Sequence, residues 1–203
     1  MPVKVKICGV TRVADAEAAV DLGADAVGLN FYGGSPRCIA VGAARAIRSR
    51  LPATTCVVGV FVNAPREEIG AVAGAVGLSA LQLHGDEPPE ACLGWGDLVV
   101  IKALRGGDAD VATRAARYGV RYVLLDAASA SYGGSGRRFD WRGAGAIPRE
   151  RLVLAGGLTP ENVADAVRLL RPAAVDVASG VEAAPGRKDH GRLKAFIEAA
   201  KTA

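Results

Sequence analysis

Eight short runs of β-branched and aliphatic residues recur along the chain, separated by stretches with a helical repeat, and this alternation constrains the fold more than any other feature. The runs are "VKVKIC" (3–8), "DAVGLNF" (25–31), "TCVVGVFV" (55–62), "SALQLH" (79–84), "DLVVIKAL" (97–104), "VRYVLLD" (120–126), "RLVLAG" (151–156) and "AVDVAS" (174–179). Most are almost continuously apolar, as expected of strands covered on both faces. Between them, Ile69, Val72, Ala73 and Val76 fall on one helical face. So do Val163, Val167 and Leu170, and later Leu193, Phe196, Ile197 and Ala200. Thr159 ahead of Pro160 predicts a helix start, and Asp189 predicts a cap for the last helix. Gly23 and Gly119 predict helix stops. Strand and helix repeated eight times predict parallel strands closed into one (β/α)8 barrel over residues 1–203, an α/β fold with a single domain. The competing architecture is an open doubly wound sheet. The first strand lacks the G-x-G-x-x-G turn that such a sheet uses for dinucleotides.

At 203 residues the chain is long enough for one real core, and 50% hydrophobic with 23% charged residues excludes disorder. Its net charge of +4 is mild and unclustered. No basic run with interleaved aromatics points to nucleic acid, whereas a mild positive bias suits an anionic small molecule. Cys8, Cys38, Cys56 and Cys92 form no CxxC pair, and only two histidines accompany them, so no zinc site is expected. No apolar run reaches the ~20 residues of a membrane span, and the first residues carry no secretory pattern. A cytoplasmic protein with reduced thiols is the expectation.

Functional groups in a barrel sit where strands end. Those positions hold Cys8, Asn30, Asn63, His84, Asp126, the pair Gly156–Gly157, and Ser179–Gly180. The glycine turns follow the seventh and eighth strands, where barrels commonly hold phosphate on converging N–H groups. Asp126 ends an apolar strand, where a carboxylate needs a partner, a cap or a task. Cys8 is either an inert spacer or a reactive thiol. With Asp126 in the same barrel mouth, it can form an acid/base pair. Arg37 is a solvated loop residue or a bidentate clamp for a carboxylate. His84 reads as a hydrogen-bonded strand end, and His190 as a solvated residue in the last helix's first turn. Two longer, Gly/Ser-rich connections, 30–37 and 127–138, are candidate lids.

These residues also carry a resemblance. "KICG" (6–9), "SPR" (35–37), "GVF" (59–61), "LQLHG" (81–85), "LLD" (124–126), "GGSG" (133–136), "FDW" (139–141), "LAGGL" (154–158), "VDVASGVE" (175–182) and "GRKDH" (186–190) together resemble the phosphoribosylanthranilate isomerase family of tryptophan biosynthesis. The resemblance implies a (β/α)8 barrel and an Amadori rearrangement of N-(5′-phosphoribosyl)anthranilate to 1-(2-carboxyphenylamino)-1-deoxyribulose 5-phosphate. It implies no cofactor and no metal, a phosphorylated small-molecule substrate, and a monomer or homodimer. It implies Cys8 as general base and Asp126 as general acid. Arg37 would hold the anthranilate carboxylate, Gly156, Gly157, Ser179 and Gly180 the phosphate, and Asp176 would lie at the substrate site. Two departures stand out: Ala178, where the family often has Ser, and Ser135, where Thr is common.

Two rivals are weighed against it. The related isomerase of histidine biosynthesis is expected to carry Asp on strand 1, where this chain has Cys8, and a second phosphate grip that has no matching glycine pair after strand 3. A non-catalytic sugar-phosphate binder would not need Cys8, Asp126 and Arg37 together.

Overall fold

The structure is a computed structural model that describes residues 2–106, 110–126 and 141–203. The candidate lid at 127–138, with Ser135, lies outside the described residues. Eight parallel strands close into a barrel in chain order: β1 (Lys4–Cys8), β2 (Ala26–Asn30), β3 (Cys56–Phe61), β4 (Ala80–Leu83), β5 (Val99–Arg105), β6 (Tyr122–Asp126), β7 (Leu152–Leu154) and β8 (Ala174–Val177). Every apolar run of the sequence became a strand. β1 and β8 complete the ring, with Lys4 opposite Ala174 and Lys6 opposite Asp176.

Among the described residues, six helices cover the barrel: α1 (Val13–Asp21), α2 (Val41–Arg50), α3 (Arg66–Val76), α4 (Val111–Ala116), α5 (Val163–Leu170) and α6 (His190–Lys201). The expected helix after β4 is instead a 3₁₀ turn, Pro89–Cys92, and a second 3₁₀ segment, Trp141–Ala146, precedes β7. Pro88 and Pro89 explain the first, since proline removes donors that an α-helix needs. The remaining helices bury the faces their spacing dictates: Ile69, Ala73 and Val76 on α3, Val163, Val167 and Leu170 on α5, and Leu193, Phe196, Ile197 and Ala200 on α6. Burying each large side chain contributes roughly 1.5–3 kcal/mol.

The predicted ends divide. Asp189 caps α6 by accepting from the Arg192 N–H at 3.0 Å. Thr159 does not cap α5. It lies in a preceding turn, where its N–H donates to Asn162 Oδ1 at 2.8 Å, and the helix begins at Val163. Gly23 follows α1 with φ +96°, whereas α4 stops at Arg117 in ordinary helical conformation before Gly119 is reached.

The core has two parts. A large layer lies between strands and helices, and a small cluster fills the barrel: Val58, Ala80, Ile101, Ala103, Leu124, Val153 and Ala155. At the level of β1 and β8 this inner filling gives way to charge, Lys6 and Asp176, which leads directly into the mouth.

Candidate active site

A cavity of about 350 Å³ opens at the C-terminal ends of the strands, where the fold places functional loops. Cys8, Arg37, Asp126, Gly156, Gly157, Asp176, Ser179 and Gly180 all line it, as do Asn30 and His84. Asn63 is not brought there. It adopts φ 50° and spends its Oδ1 on the Asp86 N–H at 2.8 Å, tying the turn after β3 to the turn after β4.

On the β1 side, the Cys8 thiol is buried, and burial pushes it above its ordinary value. The Lys6 ammonium counters that rise and Asp176 adds to it. Lys6 and Asp176 form an ion pair of 2.9 Å with almost no solvent contact. Burial pulls the Lys6 ammonium down, yet Asp176 and Cys8 outweigh it and carry the group above its ordinary value.

A short hairpin, β9 (Glu182–Ala184) with β10 (Arg187–Lys188), folds across the exit of β1. From it the buried Lys188 ammonium donates to the Cys8 carbonyl at 2.6 Å, the Ala178 carbonyl at 3.1 Å and Glu182 Oε1 at 2.9 Å. Burial pulls Lys188 below its usual value, and Glu182 opposes that. Glu182 also receives Arg37 through Nε and Nη2, at 2.9 and 2.7 Å. Burial would raise the Glu182 carboxyl, but these two cations carry it below its ordinary value. Arg37 therefore reaches the cavity with the Nε–Nη2 edge of its guanidinium already held by Glu182.

The hairpin is tied down further. Thr11 Oγ1 donates to the Gly186 carbonyl at 2.6 Å, and Asp15 accepts from the Lys188 N–H at 3.0 Å. His190 is half-exposed as expected, but its Nε2 also meets buried Asp15 at 2.9 Å.

On the opposite side, His84 Nε2 lies 3.3 Å from Asp126 Oδ2. The Gln82 amide nitrogen sits 2.7 Å from His84 Nδ1; in this amide orientation it donates, and Nε2 is the ring nitrogen that carries the proton toward Asp126. Gln82 is fully buried and its Oε1 meets no donor among the described residues. Turning the amide over would let Oε1 accept from Nδ1–H, leaving Nε2 to accept a proton from Asp126. Arg105 on β5 is in register with Asp126.

The phosphate-type turns adjoin one another. Gly156 and Gly157 have φ +77° and +66°, which L side chains rarely adopt. A Cβ on Gly180 would land on the Leu158 carbonyl oxygen, so the turn after β8 packs directly on the turn after β7. Ala178 presents no hydroxyl to the cavity, and its carbonyl is taken by Lys188.

The 30–37 segment is well tied. Asn30 Oδ1 accepts from the Tyr32 N–H at 2.8 Å, and Ser35 Oγ accepts from Asn30 Nδ2 and the Arg37 N–H, both at 3.2 Å. Lys6, Glu182, Lys188 and Gln82 escaped the sequence reading. The available signal was a lysine and a glutamine inside apolar strand runs, "VKIC" and "LQL", where only a partner excuses polarity.

The family model for N-(5′-phosphoribosyl)anthranilate (PRA) isomerase matches residues 5–199. An N-(5′-phosphoribosyl)anthranilate isomerase of Myxococcus xanthus is 50% identical over 212 aligned positions, covering 100% of this chain and 98% of the relative. The crystal structure of phosphoribosyl anthranilate isomerase from Thermotoga maritima superposes with a TM-score of 0.91 at 47% identity, covering 99% of this chain and 100% of the other. A crystal structure of the isomerase in complex with reduced 1-(o-carboxyphenylamino)-1-deoxyribulose 5-phosphate superposes with a TM-score of 0.87 at 45% identity, with 99% and 100% coverage.

Proposed function

The chain belongs to the N-(5′-phosphoribosyl)anthranilate isomerase family, and from that premise we propose how its own residues carry out the rearrangement. The enzyme converts N-(5′-phosphoribosyl)anthranilate to 1-(2-carboxyphenylamino)-1-deoxyribulose 5-phosphate, a step of tryptophan biosynthesis. The ribose phosphate lies over Gly156, Gly157, Ser179 and Gly180, whose turns offer backbone N–H groups. The anthranilate carboxylate meets the Nη1 side of Arg37, and Asp176 borders the sugar.

Asp126, as the acid, protonates the ring oxygen. The C1′–O bond breaks as the anthranilate nitrogen supplies its lone pair, giving an iminium. Cys8, as thiolate, removes the C2′ proton, and that electron pair forms an enolamine. Tautomerisation then moves a proton from the C2′ hydroxyl to C1′ and yields the ketone. The two protons lost, from C2′ and its hydroxyl, balance the two gained, at the ring oxygen and C1′. Proton transfers of this kind contribute roughly 10²–10⁴-fold each.

The observation that carries the assignment is the shared cavity. Cys8 and Asp126 come from β1 and β6, three strands apart around the ring, and both line the space that the glycine turns border. Among the described residues no group of His, Cys, Asp or Glu is arranged to hold a metal, and no helix is long and apolar enough to cross a membrane. We place the enzyme in the cytoplasm, acting as a monomer or homodimer on its phosphorylated substrate.

The test is the decay of anthranilate-adduct fluorescence on adding enzyme. Cys8→Ala and Asp126→Asn should fold normally and lose kcat by about 10³-fold or more. Near wild-type turnover in either variant removes that residue from its role.

A further inference from the structure

Lys6 has no role in the mechanism above, yet it is one of the most expensive residues in the molecule. Its ammonium lies inside the barrel with 4% exposure, held by Asp176 at 2.9 Å. A buried ion pair of this kind is rarely a net gain in stability over an apolar pair of similar volume. What it does achieve is to place a fixed positive charge under the cavity floor.

Gly28 shows where that charge points. A Cβ at this inward position on β2 would stand 2.9 Å from Cys8 Sγ and 3.0 Å from Lys6 Nζ. Both atoms therefore crowd one point, and glycine leaves the room for them to approach. Glycine weakens a strand interior, and its use there marks a close approach of this kind. The register agrees: Cys8 is opposite Gly28, and Lys6 is opposite both Ala26 and Asp176.

We infer that Lys6 is a positioning residue for the base: its ammonium, anchored by Asp176 and admitted by Gly28, stabilises the Cys8 thiolate in the buried floor of the site. The inference rests on the reading of Cys8 as the base. The need is physical. Removing a proton from a thiol creates an anion in a region with little water, and burial already drives Cys8 upward. An adjacent cation lowers the cost of that anion without touching the substrate.

Other charges face the thiol from the elements around it. Asp176 on β8 opposes ionisation, Lys188 on β10 favours it from the backbone side, and Arg37 also feels the Cys8 charge. Lys6 acts more strongly on the thiol than Asp176 or Lys188 does. Its effect therefore survives when Lys6 and Asp176 are removed together.

The experiment measures how fast iodoacetamide alkylates Cys8 across pH, followed by mass spectrometry of the Cys8 peptide, so that Cys38, Cys56 and Cys92 do not contribute. Lys6→Met keeps the shape and removes the charge, whereas Lys6→Arg keeps the charge and changes the shape. Lys6→Met should move the alkylation midpoint up by about one unit, roughly tenfold slower alkylation at pH 7, as expected for loss of a neighbouring opposite charge. Lys6→Arg should stay close to wild type. Should Lys6→Met fail to fold with Asp176 left unpaired, Lys6→Met/Asp176→Asn leaves no unpaired charge at this position and should still shift the midpoint upward.

In turnover, kcat/KM of the Lys6→Met protein should be low at neutral pH and recover as pH rises. An unmoved midpoint in the folded variants, or a Lys6→Arg protein as impaired as Lys6→Met, overturns the role of the charge. Shifted alkylation with turnover that ignores it overturns the assignment of Cys8 as base and leaves the Lys6–Cys8 coupling standing.

Discussion

The two walls of the cavity solve the same problem in opposite ways. On the wall of β1 and β8, the thiol sits among ionised side chains that are themselves almost fully buried: Lys6, Asp176, Lys188 and Glu182. On the wall of β4 and β6, Asp126 keeps about 15% exposure and is met by a histidine and, behind it, a neutral amide. The difference suits the task proposed for each group. A base that must become an anion away from water needs permanent counter-charge built into the wall. An acid that must gain and lose a proton each cycle needs a partner that can face it in either protonation state, and an imidazole backed by a rotatable amide is such a partner.

The largest expected contrast is in stability. Lys188→Met takes one of two cations from Glu182 and the ammonium donor from two strand-end carbonyls in a buried region, and should cost about 3 kcal/mol in chemical denaturation. His84→Ala, on the partly solvated wall, should cost about 1 kcal/mol or less. Equal losses would mean that the two walls do not differ as described.

Next comes substrate binding. Arg37→Ala should raise KM by about tenfold or more while kcat falls less, because the guanidinium is proposed to hold the carboxylate away from the bonds that change. An unchanged KM takes Arg37 out of the site.

The smallest effect sharpens the acid wall. Gln82→Leu removes an amide whose oxygen has no partner, so stability should change by less than about 1 kcal/mol. Turnover should still drop about tenfold as His84 loses its guide, and a variant with wild-type kcat would show that the Gln82 amide does not orient His84.

The barrel was legible in the sequence because strands covered on both faces leave continuous apolar runs. The glycine turns were legible because backbone approach excludes side chains. Cys8, Asp126 and Arg37 could be nominated because they stand at strand exits or in the loops beyond. The charges behind them could not. Lys4 and Lys6 alternate identically in "KVKIC", yet Lys4 is exposed at one end of the barrel and Lys6 is buried beneath the cavity. Periodicity gives the parity of a strand, not its depth. Pairs such as Lys6 with Asp176 are 170 residues apart and exist only once the ring has closed. "GRKDH" carries part of the family resemblance, but its lysine's partners, the Cys8 carbonyl and Glu182, are fixed by a hairpin that the pattern of apolar runs does not reveal. Thr159 misled for a local reason: Asn162 satisfies that turn and delays α5.

The fastening of β1 by Lys188, 180 residues downstream, has a consequence for synthesis. A nascent polypeptide stalled before that lysine would already contain all eight strands, with Cys8, Lys6, Asp126 and Asp176, but would lack the ammonium that fastens the exit of β1 to the turn after β8. A protein cut short just before Lys188 would therefore own every strand of the ring yet leave its mouth unfastened, and is expected to be inert.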